Sequence, residues 1–324
     1  MITKKTQQGK SLKKLIDAAV DIQMNSDPSA QDKAFLTRQL VQVTLPHSNP
    51  GDIPVWERIN GNMSLIIRPG WDRKKDQPVG YPYGTIPRLL LFWLTTEALR
   101  TGSRRIELGD SLASFMRDLG LDSSRGGPRS DVRRLRDQME RLFRSTFSFE
   151  SIQDVGSNRG KRWLDMQVAP KGELWWDLKN PEQSTLFGSW IELGEDFYNA
   201  IVSAPVPLDM RALMALKSSA LALDIYAWAT YKTFSLKQND RAEQFISWSA
   251  FMQQLGVDYA NVKEFGRKCR EAFRKIQVVY PSLQIEYSKG GFSIKAGHPS
   301  VPYRAAKRKR RTVEGVESVD KSCG

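Results

Sequence analysis

The sequence is poor in residues that cross-link a chain or bind metal. Its 324 residues include two cysteines, Cys269 and Cys323, and two histidines, His47 and His298. Two distant cysteines provide neither a disulfide framework nor the spacing of a metal site, which fits a reducing cytoplasm. The histidines do not form the paired motif on which a metal-dependent DNA nickase relies. The sequence therefore predicts no metal site and excludes a nickase of that class.

Long apolar runs are also lacking. The two longest, residues 89–94 and 220–231, are shorter than the roughly 20 residues needed to cross a bilayer, and Asp224 interrupts the second. The first residues contain no apolar signal core, so we expect no export and no membrane partner. Both runs are predicted to be buried helices.

No motif indicates a catalytic nucleophile or a bound cofactor. Residues 156–162 are similar to a phosphate-binding loop, but the stretch is one residue short and has Arg162 where such a loop has serine or threonine. Alternating strands flank it, which favours a hairpin turn. The acidic residues are expected to be solvated on helical surfaces. We therefore predict a protein without enzymatic activity, cofactor or metal.

Positive charge, by contrast, is abundant and unevenly placed. The chain has 49 Lys and Arg against 36 Asp and Glu, which gives a net charge of +13. Four segments, residues 125–144, 156–163, 259–275 and 304–311, carry +4, +3, +4 and +6, so the rest of the chain is at −4. Positive charge concentrated in this way is typical of a protein that binds a polyanion.

An eight-residue pattern occurs twice and indicates an internal repeat. Residues 115–122 read FMRDLGLD, and residues 251–258 read FMQQLGVD. Each copy is followed by a helix rich in arginine or lysine and then by two alternating strands that meet at a glycine-containing turn. This is the order of a winged helix, whose helix fits the major groove of DNA. We predict an α+β fold with tandem winged-helix domains, helix-rich and each with a β-hairpin wing.

Hydrophobic periodicity and capping residues locate the elements around this repeat. Strands are predicted over residues 40–45, 63–67, 105–108 and 189–193, and hairpins about residues 156–162 and 288–291. Helices are predicted over residues 85–100, with Thr85 as N-cap, and over residues 111–119, 131–144, 212–233, 249–255 and 261–278. Four parts follow: residues 1–35, an N-terminal helix and linker; residues 36–180, a first winged-helix domain for DNA binding and a candidate for dimerisation; residues 181–303, a second winged-helix domain for DNA binding; and residues 304–324, a basic disordered tail.

The candidate DNA contacts are cations on the two basic helices, the hairpins and the tail. In the first copy they are Arg125, Arg129, Arg133, Arg134 and Arg136 on the helix and the loop before it, with Arg159, Lys161 and Arg162 on the hairpin. In the second copy they are Lys263, Arg267, Lys268, Arg270 and Arg274 on the helix, with Lys289 at the turn. The tail adds Lys307, Arg308, Lys309, Arg310 and Arg311. A solvated face is the alternative for any single charged stripe, and its recurrence in both copies favours DNA contact.

Several stretches resemble the plasmid-encoded RepA-type replication initiators. They are residues 81–100 (YPYGTIPRLLLFWLTTEALR), 106–120 (IELGDSLASFMRDLG) and 133–139 (RRLRDQM), with residues 205–209 and 216–228 continuing the similarity. The resemblance covers about residues 36–297. It implies a bacterial protein that binds directly repeated origin DNA, called iterons, opens adjacent duplex and recruits a host initiator and the replicative helicase.

The resemblance also implies plasmid copy control, because related initiators often repress their own promoter as dimers. Whether this chain forms a homodimer is left open. The alternative is a dimeric winged-helix transcription repressor without initiation activity, and a remote third is a DNA-processing enzyme. Two linked modules predict a site of roughly 20 base pairs, since successive major grooves lie about 10 base pairs apart. If 6–10 phosphates are neutralised, affinity should fall by about 10³ to 10⁵ between 50 and 200 mM salt.

Overall fold

A computed structural model describes residues 2–124, 127, 130–155, 158–176, 180–184, 188–256 and 259–301, without the side chains of residues 2–11, 154–155 and 158–159. The fold is 43% helical and 24% strand, which confirms the α+β class. None of the helices in these ranges combines the length and the apolar character that a membrane span needs.

The elements before the repeated unit are one long helix, one short helix and five strands. They are α1 (Ile2–Met24), β1 (Lys33–Thr37), α2 (Arg38–Gln42), β2 (Trp56–Asn60), β3 (Met63–Arg68), β4 (Trp71–Asp72) and β5 (Gln77–Pro78). The strand expected over residues 40–45 is wrong. The hydroxyl of Thr37 accepts a hydrogen bond from the amide of Leu40 and so starts α2 there. The strand expected over residues 63–67 is confirmed as β3.

The first copy of the repeated unit follows the predicted order. Its elements are α3 (Thr85–Thr101), β6 (Arg105–Glu107), α4 (Leu112–Asp118), α5 (Asp131–Arg144), β7 (Thr146–Val155) and β8 (Asn158–Gln167), followed by β9 (Lys171–Glu173) and β10 (Trp190–Glu192). Two expectations are wrong in detail. Gly84, not Thr85, is the N-cap of α3. The β7–β8 register runs without interruption to the pair Val155 and Asn158, so the hairpin turn is shorter than the predicted 156–162.

The second copy repeats the order after a connecting region. The elements are α6 (Glu195–Ser203), β11 (Pro205–Asp209), α7 (Met210–Leu216), α8 (Ala220–Gln238), β12 (Glu243–Ser247), α9 (Trp248–Leu255), α10 (Val262–Val279), β13 (Ile285–Ser288) and β14 (Gly291–Lys295). The single helix expected over residues 212–233 is wrong. Helix α7 ends at Leu216, and Ser219 caps a new helix by accepting from the amide of Ala222. The helices expected over residues 249–255 and 261–278 are confirmed as α9 and α10.

Strand pairing differs between the two copies. In the second copy β12 pairs with β14 and β14 with β13, so the strand before α9 joins the hairpin. In the first copy the hairpin continues the sheet β2-β3-β7-β8, while β6 pairs with β10 and β10 with β9. The pairs β1–β11 and β6–β10 connect chain segments across the expected boundaries at residues 35 and 180. The four-part division of the chain stays a prediction.

The repeated phenylalanine has the same packing role in both copies. Phe115 lies edge-on against Trp93 of α3, with ring centroids 5.0 Å apart. Phe251 contacts Trp228 of α8 at 4.7 Å. Phe115, Phe251 and Trp228 belong to one hydrophobic core that runs through both copies, and the partly buried Trp93 packs against it. The sequence repeat therefore records how each short helix packs on the long helix before it.

The buried carboxylate of Asp224 departs from the expectation that the acidic residues are solvated on helical surfaces. Asp224 of α8 is 6% exposed and forms an ion pair with Arg88 of α3, with Arg88 Nε 2.7 Å from Asp224 Oδ1. His47 Nε2 lies 2.8 Å from Asp224 Oδ2. Burial on its own raises the pKa of Asp224, but Arg88 and His47 outweigh it, so this pKa lies well below its usual range. Burial lowers the pKa of His47, which leaves the imidazole neutral at pH 7.

Candidate nucleic-acid interface

Helix α5 presents arginine on the side opposite its core face. The hydroxyl of Ser130 caps the helix by accepting a hydrogen bond from the amide of Arg133 at 3.4 Å. The buried face consists of Val132, Leu135, Gln138, Met139, Leu142 and Phe143. Arg133, Arg134 and Arg136 are exposed. The predicted division of this helix into an apolar face and a cationic face is therefore present.

The three exposed arginines of α5 differ in whether they form an ion pair. Arg134 is paired with Asp131, one turn earlier in the helix, at 3.0 Å. Arg133 and Arg136 form no ion pair with any residue in the described ranges. An unpaired guanidinium can donate two parallel hydrogen bonds to a guanine or a phosphate without first breaking another contact. Arg133 and Arg136 are therefore the first candidates for contacts of α5.

Helix α10 has the same two-sided construction. Asn261 caps it by accepting from the amide of Glu264 at 2.8 Å. Its buried face consists of Phe265, Gly266, Cys269, Ala272, Phe273, Ile276 and Val279. Lys263, Arg267 and Arg274 are exposed, whereas Lys268 and Arg270 are half-buried. Glu271 forms ion pairs with both Arg267 and Lys268, so the outer surface of α10 carries fewer unpaired cations than its sequence suggests.

Arg270 is held by two aromatic rings. Its guanidinium carbon lies 4.9 Å from the ring centre of Trp248 in α9 and 5.6 Å from that of Tyr287 in β13. Burial raises the pKa of Tyr287, against the opposing influence of Arg270 and Arg274, so the phenol stays neutral beside them. A cation held over aromatic faces has few orientations left. The helical spacing of the cations predicts Arg270 as a contact but does not indicate that two aromatic rings orient it.

The two hairpins present fewer of the predicted cations than the two basic helices. Lys161 and Arg162 lie within β8 and not in a turn as expected, and Lys161 is paired with Glu150 of β7 at 2.8 Å. Lys289 is exposed in the two-residue turn between β13 and β14, followed by Gly290 with φ of +84°. Trp163 follows the cations of β8 and is 69% exposed. An aromatic ring this exposed beside two cations is a further contact candidate that sequence alternation did not single out.

The remaining predicted contacts lie outside the residues that the structure describes. Arg125, Arg129 and the tail residues Lys307, Arg308, Lys309, Arg310 and Arg311 lie outside the described residues, as does the side chain of Arg159. The structure therefore brings together the predicted cations of each basic helix and tests neither the loop before α5 nor the tail.

Fold and surface define the class of protein first: an α+β protein in which one helix-helix-hairpin unit occurs twice, each time with cations outward. The family model for plasmid encoded RepA protein matches residues 81–250, more than half of the chain. The chain belongs to this family, and membership supports a role as a plasmid replication initiator.

Solved structures that are similar to this chain include two of RctB. One is a selenomethionine derivative of domains 2 and 3 of RctB, with TM-score 0.48 and 12% identity over 83% of this chain and 98% of that chain. The other is RctB domains 2–3, with TM-score 0.47 and 10% identity over 80% of this chain and 96% of that chain. No curated protein matches the sequence.

Proposed function

We propose that this protein starts plasmid replication by binding directly repeated origin DNA with α5 and α10 in successive major grooves. One observation carries the proposal: the same unit occurs twice, and the second helix of each copy turns cations away from its core face. The major groove is about 12 Å wide and accepts one α-helix. A linked pair of such helices reads a longer site than either helix alone.

The two helices are suited to different shares of the contact. Arg133 and Arg136 on α5 have no ion-pair partner in the described ranges, so they read base edges in the proposal. On α10, Arg274 is exposed and Arg270 is oriented by its two rings. The paired cations, among them Arg134, are assigned to phosphates, because an exposed ion pair stabilises by only about 0–1 kcal/mol and opens readily.

The wings and the basic tail supply the electrostatic part of binding. Arg162 and Lys289 are exposed, and the tail segment of residues 304–311 carries +6. Phosphate contacts fix the register of a protein on the duplex and carry no sequence information directly. Their proposed role is affinity, with specificity left to α5 and α10.

Opening of adjacent duplex, recruitment of a host initiator and helicase, and autoregulation as a homodimer are proposed by analogy with RepA-type initiators. In this proposal the protein acts in the bacterial cytoplasm by binding, without a catalytic step of its own. The alternative, a dimeric repressor without initiation activity, uses the same DNA surface. A DNA-processing enzyme stays the third candidate.

Selection of duplexes from a random library tests the binding part. We expect the protein to select a motif of roughly 20 base pairs. Arg133→Ala should weaken binding to that motif by about 1–3 kcal/mol. The matched control is Arg100→Ala, which removes an exposed arginine of α3 that is paired with Glu97. Equal loss for both variants would contradict the assignment of α5.

Plasmid maintenance separates initiator from repressor. The protein is supplied in trans to a replicon that carries the selected motif repeated beside an A·T-rich segment and has no other origin. Persistence of the replicon identifies an initiator. Repression of a promoter that overlaps the motif, without persistence, identifies the alternative, and strand scission by the purified protein would favour the enzyme.

A further inference from the structure

A buried ion pair, Arg88 and Asp224, lies where α3 of the first copy meets α8 of the second, a region called the joint. Arg88 and Asp224 lie 136 positions apart in the sequence and form an ion pair in the core. Arg88 belongs to α3, the long helix of the first copy, and Asp224 to α8, the long helix of the second. The two long helices therefore meet through side chains of opposite charge.

Every N–H of Arg88 has an acceptor within the joint. Nε and Nη2 donate to the two carboxylate oxygens of Asp224, each at 2.7 Å. The remaining N–H groups donate to the carbonyls of Leu45 (2.7 Å), Pro46 (3.1 Å) and Gly84 (2.6 Å). Asp224 also accepts from His47 Nε2. The guanidinium thus fixes both helices and the chain before α3 in a single arrangement.

Other polar contacts connect the two copies beside their shared hydrophobic core. Gln254 of α9, in the second copy, donates to the carbonyl of Gln42 in α2 at 2.8 Å. The ring of His47 lies edge-on to Tyr259, with centroids 6.2 Å apart. Directional hydrogen bonds constrain orientation, whereas apolar contacts are non-directional.

We propose that the network of Arg88, Asp224 and His47 sets the orientation of the copy carrying α5 relative to the copy carrying α10. These are positioning residues, and the proposal rests on the proposed function because their effect on DNA is the spacing of two groove contacts. A buried ion pair is often replaceable by apolar residues of similar volume without loss of stability. The benefit of this pair then lies in geometry, and that benefit is measurable apart from stability.

A distance measurement without DNA tests the orientation directly. Spin labels are attached through Glu140→Cys on α5 and Val278→Cys on α10, in a Cys323→Ser background. Both label sites are exposed, and the remaining Cys269 is buried. The joint variant is Arg88→Met/Asp224→Leu. The control, Arg100→Met/Glu97→Leu, removes the same two charges from a surface pair on α3.

We expect one narrow distance distribution for the unmodified joint and for the control, and a broader or shifted distribution for the joint variant. A folded joint variant with an unchanged narrow distribution would overturn the proposal. Arg88→Lys is the second variant, since lysine keeps the charge but cannot make the two-pronged contact with Asp224. It should also broaden the distribution, and an unchanged result would count equally against the proposal.

Spacing dependence on DNA gives the second readout. One base pair inserted between the two halves of the selected motif rotates them by about 35° relative to each other. Affinity of the unmodified protein should fall about 100-fold or more, since the second contact no longer reaches its groove. The joint variant should lose less than about tenfold. An equal loss of affinity in the unmodified protein and the joint variant would contradict the inference. Failure to select any duplex would contradict the proposed function, and the distances between the spin labels would then test the inference alone.

Discussion

Replacing Asp224 with leucine should be among the most destabilising single changes in the protein. The carboxylate accepts three hydrogen bonds, two from Arg88 at 2.7 Å and one from His47 at 2.8 Å. Its loss leaves the guanidinium of Arg88, which is 3% exposed, without a counter-charge. Removing one partner of a buried pair costs about 3–5 kcal/mol. We expect a loss in this range for Asp224→Leu.

The double variant Arg88→Met/Asp224→Leu should recover most of that loss. With both charges gone no uncompensated charge is buried, so we expect its free energy of unfolding to lie within about 1 kcal/mol of the unmodified protein. The two substitutions would then be coupled by at least about 2 kcal/mol. The pair of exposed Arg100 and half-buried Glu97 serves as control, and Arg100→Met/Glu97→Leu should cost less than about 1 kcal/mol.

Urea denaturation at pH 7.5, followed by circular dichroism, measures these differences. The reasoning would be refuted if Asp224→Leu cost no more than the control pair. It would also be refuted if the double variant were as unstable as the single one, because the loss would then come from packing and not from the unpaired charge.

Three further outcomes follow from the same contacts. Because burial lowers the pKa of His47, the unfolded chain binds the proton of this imidazole more readily than the folded protein does. The free energy of unfolding should therefore decrease as pH falls below about 6.5, by up to about 1.4 kcal/mol per pH unit. In urea titrations from pH 7.5 to 5, His47→Gln should remove this decrease and His298→Gln should not. Arg133→Ala should weaken binding more to the selected motif than to random duplex, whereas Arg162→Ala should weaken both equally, in titrations at fixed salt. Arg270→Lys should weaken binding about tenfold without loss of stability, since lysine keeps the charge but not the stacked plane.

Each of these outcomes has a contrary result. A pH dependence that persists in His47→Gln would place the titrating group elsewhere. Equal losses on both DNAs for Arg133→Ala would make this residue a phosphate contact. Full binding by Arg270→Lys would show that the aromatic rings hold the arginine for packing alone.

The sequence predicted best the elements that local periodicity specifies. Helix α5 begins at Asp131 and ends at Arg144, as its apolar spacing indicates. The basic surfaces of α5 and α10 follow from the same spacing. The sequence predicts less well where a single capping residue determines that a helix begins. Thr37 starts a helix in a stretch that reads as a strand, and Ser219 divides a continuous apolar run into two helices.

Long-range pairing could not be read from local pattern. Asp224 interrupts an apolar run, and its partner Arg88 lies within another apolar helix far away in sequence. Each residue alone looks like a polar position on a helix surface. In the same way, the pairing of β6 with β10 instead of with the hairpin depends on residues well beyond the repeated unit.

Hydroxyl-radical footprinting on the selected duplex tests most directly whether α5 and α10 bind the same DNA together. We predict two protected segments on one face of the duplex, with centres about 10 base pairs apart. Arg133→Ala should weaken protection of one segment and Arg274→Ala protection of the other. A single protected segment, or equal loss of both segments in each variant, would contradict the account.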